Sequence, residues 1–413
     1  MSGILISLGN SSTRQDATIV LSASQPYEGA LAGCNALQET LWTPPNGTNV
    51  DFLPYLDFDK TTNNTGLYWI GSQSTSECRA ITTLGKIQAV TCETHLPALC
   101  SQSASLSSPA STDAGPRWQA SIKTGNATIV GYRDKLSFRF LGLGYAPRPM
   151  RFGYSKYQAP SGNISALAYG AGCVQDDCEE PRCSEDCLSL NVWTPYLPTK
   201  NSSTPKKAVM FWIYGGGFTS GFGSDTTFDG GNMASRGDVV VVTINYRLST
   251  LGFLALDNST LRGNYWLSDQ IAALDWVRAH IEDFGGDKDR ITVFGQSAGG
   301  ASVRALLASP LARGKFSRAI LHSVPAGAGD ANLFSLYTPL SEAITTARSI
   351  LNITSCAKPD VAGQVACLRA LDPMTLVDGR NGTNIIAKCV QKPTKYFIYA
   401  KVASGLQSWM VRI

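Results

Sequence analysis

The sequence lacks the features that mark several classes of protein. No apolar run in its 413 residues is long enough to span a bilayer. The formal charge is only +4 at pH 7, and like charges do not gather in blocks. We therefore expect neither nucleic acid nor an anionic membrane as a partner. The short apolar stretch near Met1 has no basic residues before it, so it is a poor secretory signal.

Histidine is also scarce, with only three residues: His95, His280 and His322. None of them lies near the densest group of cysteines, which consists of Cys173, Cys178, Cys183 and Cys187. Zinc sites usually combine cysteine and histidine at defined spacings. We therefore expect no metal here, and we expect His95 and His280 to be structural or solvated.

Cysteines and glycosylation sequons, in contrast, are abundant. The chain has eleven cysteines and nine Asn-x-Ser/Thr triplets. One such triplet occurs easily by chance, but nine beside this many cysteines favour a secreted protein. Because no signal peptide is evident, we expect the true signal sequence to be missing from this chain. The sequons are at Asn10, Asn46, Asn63, Asn126, Asn163, Asn201, Asn258, Asn352 and Asn381.

The sequence divides into three parts. Residues 101–116 are rich in Ser, Ala and Pro and read as a linker. Residues 1–100 hold four cysteines, and residues 117–413 alternate strand and helix patterns, which predicts an α/β domain with a mostly parallel sheet. The predicted strands are Lys207–Tyr214, Asp238–Asn245, Arg290–Gly295 and Arg318–Ser323, and the predicted helices are Asp269–Phe284 and Ala298–Leu311.

The motif Gly295-Gln296-Ser297-Ala298-Gly299 follows a strand pattern and precedes a helical one. This is the context of a nucleophile elbow, a strained turn that exposes a serine hydroxyl at a helix N-terminus. There the backbone N–H of Ala298 can bind a developing oxyanion. An incidental serine in a glycine-rich turn is the alternative, which the flanking strand and helix make unfavourable.

A second glycine motif, Gly215-Gly216-Gly217-Phe218, follows the predicted strand that ends at Tyr214. Glycines leave backbone N–H groups uncovered, which suits an oxyanion hole. A flexible loop without function is the alternative reading.

These motifs, together with others in the same order, resemble the type B carboxylesterase family, which includes cholinesterases and some lipases. The other matching segments are Ser184–Trp193, Asn245–Leu248, Leu251–Leu254, Gly263–Asn264, Asp269–Gln270 and Phe284–Asp287. The resemblance implies an α/β-hydrolase fold and hydrolysis of small-molecule or lipid esters through an acyl-enzyme, with no cofactor. It assigns Ser297 as nucleophile and Gly216, Gly217 and Ala298 as oxyanion donors.

The resemblance also implies disulfides. Cys187 is expected to pair with Cys173, which leaves Cys178 and Cys183 to pair with each other. Cys356 and Cys367 match a second small loop of the family, whereas Cys389 is unassigned and could be a free thiol. In the N-terminal part, the order of the cysteines permits a nested pairing of Cys34 with Cys100 and Cys78 with Cys92.

Three charged residues in these motifs have a structural interpretation. The resemblance suggests a buried ion pair between Glu185 and Arg247, and Asp269 reads as a residue of a polar network at a helix start. Neither Glu185 nor Asp269 is expected to be the catalytic acid.

The main departure from the family concerns the general base. A serine hydroxyl needs one, and this fold orders its triad as Ser, acid, His. His322 is the only histidine after Ser297; it is predicted at a strand end, where its geometry as a base is unfavourable. We therefore expect a C-terminally incomplete, inactive domain whose last strand has an unpaired edge near Ile320.

Gln296 and Trp266 are two smaller departures from the family pattern. Gln296 argues against a cationic choline substrate, and Trp266 is expected to narrow the substrate pocket.

The N-terminal part faintly resembles a C-type-lectin-like fold, with a small disulfide-stapled appendage as the alternative. For the whole chain, the alternative to an esterase is a non-catalytic pseudoenzyme or a cholinesterase-like adhesion or binding protein, which the intact serine disfavours.

Overall fold

A computed structural model describes residues 3–6, 18–44, 53–58, 66–72, 77–108, 112–135, 137–178, 181–198, 205–324, 338–380, 390–391 and 408–412. None of the described helices combines the length and the apolar character that a membrane span requires.

The N-terminal unit is a sheet with a helix on each face. Apolar residues alternate along its strands, so that Ile19 and Leu21 pack with one helix while Val20 packs with the other. Its strands are β1 (Gly3–Ile6), β2 (Thr18–Gln25), β3 (Leu67–Ile70), β4 (Arg79–Thr82), β5 (Ile87–Ala89) and β6 (Leu96–Ser101), and its helices are α1 (Tyr27–Ala36) and α2 (Leu53–Phe58). The strand order in the described residues is β1-β2-β6-β3-β4-β5.

A buried polar network joins this unit to the rest of the chain. Arg133 Nη1 donates to Glu39 Oε1 at 2.8 Å, and both side chains are at least 96% buried. Arg133 also donates to Gln102, whose amide in turn donates to the backbone carbonyl of Lys135. Gln102 and Ser105, at the start of the expected linker, therefore contact the second unit.

The second unit is built on a mixed sheet. Its strands are β7 (Gln119–Thr124), β8 (Asn126–Arg133), β9 (Phe138–Gly144), β10 (Ser161–Ser165), β11 (Gly172–Cys173), β12 (Cys183–Ser184), β13 (Ser189–Thr194), β14 (Lys207–Ile213), β15 (Val240–Ile244), β16 (Gly286–Gln296), β17 (Arg318–His322), β18 (Thr338–Pro339), β19 (Val390–Gln391) and β20 (Ser408–Arg412). Ten of these, as far as the structure describes them, form one sheet in the order β10-β8-β9-β13-β15-β14-β16-β17-β20, with β7 beside β8.

The four central strands of that sheet are parallel, and the flanking strands are antiparallel except for β10, which runs parallel to β8. Strands β15, β14, β16 and β17 run parallel, whereas β13, β9 and β20 join antiparallel. The expectation of a mostly parallel sheet therefore holds for the central four strands.

Helices lie on both faces of this sheet. The α-helices described in this unit are α3 (Gly231–Gly237), α4 (Ser249–Phe253), α5 (Tyr265–His280), α6 (Ala298–Ala308), α7 (Leu340–Ile353) and α8 (Val361–Ala370). Val240 and Val242 on β15 pack with α5 and α6, whereas Val241 packs with Ala234 of α3. Because neighbouring strand residues point to opposite faces, α3 lies on the face opposite to α5 and α6.

The expectation of an unpaired strand edge near Ile320 is wrong. The strand β17 pairs with β20 in antiparallel register, and Ile320 lies opposite Met410. Because β20 lies ninety residues further along the chain, no local pattern around Ile320 predicts this partner.

The expected ion pair between Glu185 and Arg247 is also wrong. Arg247 pairs with Asp269 at 2.7 Å, and both side chains are buried. Glu185 pairs instead with Arg151 at 2.7 Å and with Arg148 at 3.0 Å. Burial by itself raises the pKa of Glu185, but these two arginines outweigh it and hold the pKa below its ordinary value. Asp269 lies one turn inside α5 rather than at its start.

Candidate active site

Ser297 occupies the tight turn between β16 and α6. Its backbone has φ 56° and ψ −119°, a conformation that costs a non-glycine residue on the order of 1–3 kcal/mol. The turn is held by the backbone, since Ser297 N–H donates to the carbonyl of His322 at 3.0 Å. The Ser297 hydroxyl does not cap α6, so it remains available for chemistry.

Close backbone packing explains the small residues of the elbow. A Cβ on Gly299 would lie 2.1 Å from the carbonyl oxygen of Ile213, and one on Gly295 would lie 2.5 Å from the carbonyl carbon of Gly299. Both distances are shorter than any real contact, so β14, β16 and α6 can meet here only through glycine.

The glycine loop, residues 215–221, lies directly against the elbow. A Cβ on Gly215 would come within 3.2 Å of Ser297 Cβ. Gly216 and Gly217 have φ of +92° and +63°, and the Gly216 carbonyl accepts from the N–H groups of Thr219 and Ser220. Ala298 is in the first turn of α6, where a helix leaves its N–H groups unpaired. The structure thus brings together the expected nucleophile and the expected oxyanion donors.

Aromatic packing fixes the middle of the glycine loop. The Phe218 ring packs against Trp266 at 5.0 Å and Phe253 at 5.3 Å, and its carbonyl accepts from Ser249 N–H. Trp266 has no exposed surface. The expectation that Trp266 narrows a substrate pocket is therefore wrong, because its ring supports the loop from behind.

Buried side-chain amides fix the far end of the loop. Asn245 Oδ1 accepts from Gly223 N–H at 2.8 Å, and its Nδ2 donates to the carbonyl of Ala171. Gln175 hydrogen-bonds both backbone groups of Gly221. No motif in the sequence singles out Gln175, and its place between Cys173 and Cys178 was the available signal.

The histidines lie in three different settings. His322 ends β17, and its side chain is exposed; in the described part of the chain, no side chain hydrogen-bonds to Ser297 Oγ. His280 is buried, with its ring nitrogens 2.7 Å from the hydroxyls of Thr124 and Tyr157. His95 is exposed in the N-terminal unit.

Five disulfides are present in the described residues, and they join the expected pairs: Cys34–Cys100, Cys78–Cys92, Cys173–Cys187, Cys178–Cys183 and Cys356–Cys367. Cys389 lies outside the described residues. Where the structure describes the chain, no three His, Cys, Asp or Glu side chains are arranged to hold a metal ion.

An open groove of about 670 Å³ lies next to the glycine loop. Phe222, which directly follows the loop, forms one wall, and the Arg182 guanidinium stacks on its ring at 4.8 Å. The groove is large enough for a small organic molecule.

Known proteins similar to this chain are esterases. It is 37% identical over 289 residues to the para-nitrobenzyl esterase of Bacillus subtilis, covering 62% of this chain and 57% of the relative. It is 35% identical over 271 residues to the bile salt-activated lipase of Bos taurus, covering 62% and 44%. It is 40% identical over 258 residues to the acetylcholinesterase of Electrophorus electricus, covering 58% and 39%. The chain spans about half the length of the curated relatives that it matches.

Solved structures agree with these relatives. A thermophilic pNB esterase superposes with a TM-score of 0.58 at 31% identity, covering 67% of this chain and 58% of that one. A second pNB esterase gives a TM-score of 0.54 at 35% identity, covering 62% and 52%. The second unit therefore has the α/β-hydrolase fold. The carboxylesterase family model matches residues 119–404. With its serine elbow, its glycine loop and this match over most of its length, the chain belongs to the carboxylesterase family.

Proposed function

We propose that Ser297 attacks carboxylic esters to form an acyl-enzyme, and that the N–H groups of Gly216, Gly217 and Ala298 stabilise the oxyanion. The observation that carries this proposal is the contact between the elbow and the glycine loop, since Gly215 meets Ser297. Donors fixed beside the nucleophile lower the barrier to tetrahedral addition, and a single one is typically worth 10²–10³ in rate.

We also propose that this chain of 413 residues hydrolyses esters only slowly. Acyl transfer requires a base that takes the serine proton and an acid that orients the base. The only histidine after Ser297 is His322, and its side chain is exposed and makes no hydrogen bond to Ser297 Oγ in the part of the chain that the structure describes. Loss of triad function costs about 10⁴–10⁶-fold in rate.

Hydrolysis of p-nitrophenyl butyrate tests this proposal. We expect slow release of p-nitrophenol that Ser297→Ala abolishes and His322→Ala leaves unchanged. Hydrolysis at ordinary esterase rates that His322→Ala removes would show that His322 is the base. Residual hydrolysis that survives Ser297→Ala would contradict the assignment of the nucleophile, whereas no hydrolysis above the uncatalysed rate would favour the non-catalytic binding protein.

The substrate is proposed to be a neutral ester. Gln296, beside the nucleophile, is uncharged and exposed, so the elbow offers no negative charge to a cationic choline group. Comparing butyrylthiocholine with an uncharged thioester of the same acyl group tests this point, and a preference for the choline ester would refute it.

Secretion and glycosylation belong to the proposal as well. Every sequon asparagine within the described residues is exposed, namely Asn126, Asn163, Asn258 and Asn352. Expression through a secretory pathway should give a chain whose mass falls on treatment with an endoglycosidase. An unchanged mass would contradict this part. The proposed organisation is an N-terminal unit of residues 1–100, a connection of residues 101–116 and an esterase domain of residues 117–413.

A further inference from the structure

The side chain of Gln175 is buried and hydrogen-bonds to Gly221, at the C-terminal end of the glycine loop. Its Oε1 accepts from Gly221 N–H at 2.8 Å, while its Nε2 donates to the Gly221 carbonyl at 3.1 Å. Only 3% of Gln175 is exposed. A primary amide that pairs with both groups of one peptide residue fixes its position and its orientation together.

Disulfides cross-link the segment from which Gln175 makes these hydrogen bonds. Gln175 lies in the segment that two disulfides close, Cys173–Cys187 and Cys178–Cys183, and all four cysteines are buried. Its Nε2 also donates to the carbonyl of Cys173 at 3.1 Å, which holds the amide in its orientation. We call residues 172–187 the disulfide knot.

A second contact ties the disulfide knot to the residue after the loop. The Phe222 ring packs on Gly172, where a Cβ would lie 2.4 Å from the ring, and Arg182 stacks on the same ring. Gly221, the last residue of the loop, has φ +128°. A Cβ there would come within 2.3 Å of the Tyr214 ring, so the end of the loop is held in a conformation restricted to glycine.

The residue to which Gln175 hydrogen-bonds lies close in sequence to the proposed oxyanion donors. Only three residues lie between Gly217 and Gly221, and the Gly216 carbonyl accepts from the N–H of Ser220, the residue before Gly221. A shift of Gly221 therefore moves the turn that carries the N–H groups of Gly216 and Gly217. Displacing a catalytic group by about 1 Å can cost on the order of 10²-fold in rate.

We infer that Gln175 is a positioning residue that holds the oxyanion loop in place through Gly221. The inference rests on the proposed function, because it needs Gly216 and Gly217 to bind the oxyanion. The disulfide knot then supports the geometry of the active site in addition to the fold.

Two variants test the role of the amide. Gln175→Met keeps the length of the side chain and removes its hydrogen bonds, and Gln175→Glu keeps its shape and removes its donor. The matched control is Gln102→Met, because Gln102 is also buried and its amide also donates to a backbone carbonyl, but at the junction with the N-terminal unit.

The first measurement is covalent labelling of Ser297 by a fluorophosphonate. We expect both Gln175 variants to lower the rate constant of bond formation by about 10- to 100-fold, with unchanged affinity of the initial reversible complex. A change in affinity alone, an unchanged rate constant, or an equal loss in Gln102→Met would each overturn the inference.

The second measurement does not depend on catalysis. Hydrogen exchange of the peptide covering residues 214–224 should become faster in the Gln175 variants but not in Gln102→Met. If the unaltered protein is not labelled at all, the proposed function fails, and the exchange data alone decide whether Gln175 positions the loop. Unchanged exchange would overturn the inference, even if labelling slows.

Discussion

The nucleophile elbow and the glycine loop lie in contact, but they are held by different means. The elbow is fixed by backbone packing between neighbouring elements, where Gly299 of α6 meets the carbonyl of Ile213 on β14. The glycine loop is fixed by side chains from distant parts of the chain, among them Gln175, Asn245 and Trp266. An added atom should therefore disrupt the elbow, whereas the loop should also be disrupted when one of these supporting side chains is shortened.

The largest expected effect comes from the ion pair behind the glycine loop. Asp269 accepts from the backbone N–H and the guanidinium of Arg247, and so holds the segment that contains Asn245. Asp269→Asn leaves the Arg247 charge buried without a counter-ion, and we expect the free energy of unfolding to fall by about 3–5 kcal/mol. Urea denaturation measures this loss.

The matched control is Asp275→Asn on the same helix, α5. Asp275 pairs with Lys315, and both side chains are partly exposed, so the loss should stay below about 1 kcal/mol. Equal losses in the two variants would mean that the Arg247–Asp269 pair is no more important than a surface pair.

A methyl group added to the elbow should have the next largest effect. Gly299→Ala would force apart β14 and α6 and should cost about 1–3 kcal/mol, measured by thermal unfolding. Replacing glycine by alanine inside a helix normally stabilises it, so the sign of the effect is itself the test. Gly237→Ala at the end of α3, where the nearest atom is 3.5 Å away, should be neutral or stabilising. A stabilised Gly299→Ala variant would show that the elbow is loosely packed.

The smallest effect concerns His280, which lies at the end of α5 away from both parts. Burial lowers its pKa, and Asp283 only partly opposes this. A lowered pKa means that the unfolded chain binds the proton more readily, so stability falls as the pH drops below about 6.5 until the folded-state pKa is reached. The loss is at most about 1.4 kcal/mol per pH unit.

Urea midpoints at pH 7.5 and pH 5.5 measure that loss, with His280→Gln as the comparison. The variant should lose less stability between the two pH values than the unaltered protein. Equal losses would show that His280 titrates normally in the fold, and would remove it as a pH-dependent support of α5.

The sequence was informative where structure is local. The predicted strand Lys207–Tyr214 is observed as Lys207–Ile213, and the elbow serine lies between β16 and α6 as its motif requires. The strand follows from a continuous run of apolar residues, and the elbow follows from glycine at a turn. The predicted helix Asp269–Phe284 begins earlier, at Tyr265, directly after Asn264, which has a left-handed conformation and makes no side-chain cap.

The sequence by itself determined the class of the fold and the positions of the serine elbow and of the glycine loop beside it, because neighbouring residues encode each of these. Only the tertiary structure decided which distant groups meet. It paired Arg247 with Asp269 instead of Glu185, placed β20 along β17, and set Gln175 against Gly221. Charge and hydrogen-bonding capacity are written in the sequence, but a buried group bonds to whatever the packing of the chain brings within about 3 Å, and that depends on contacts between residues far apart in the sequence.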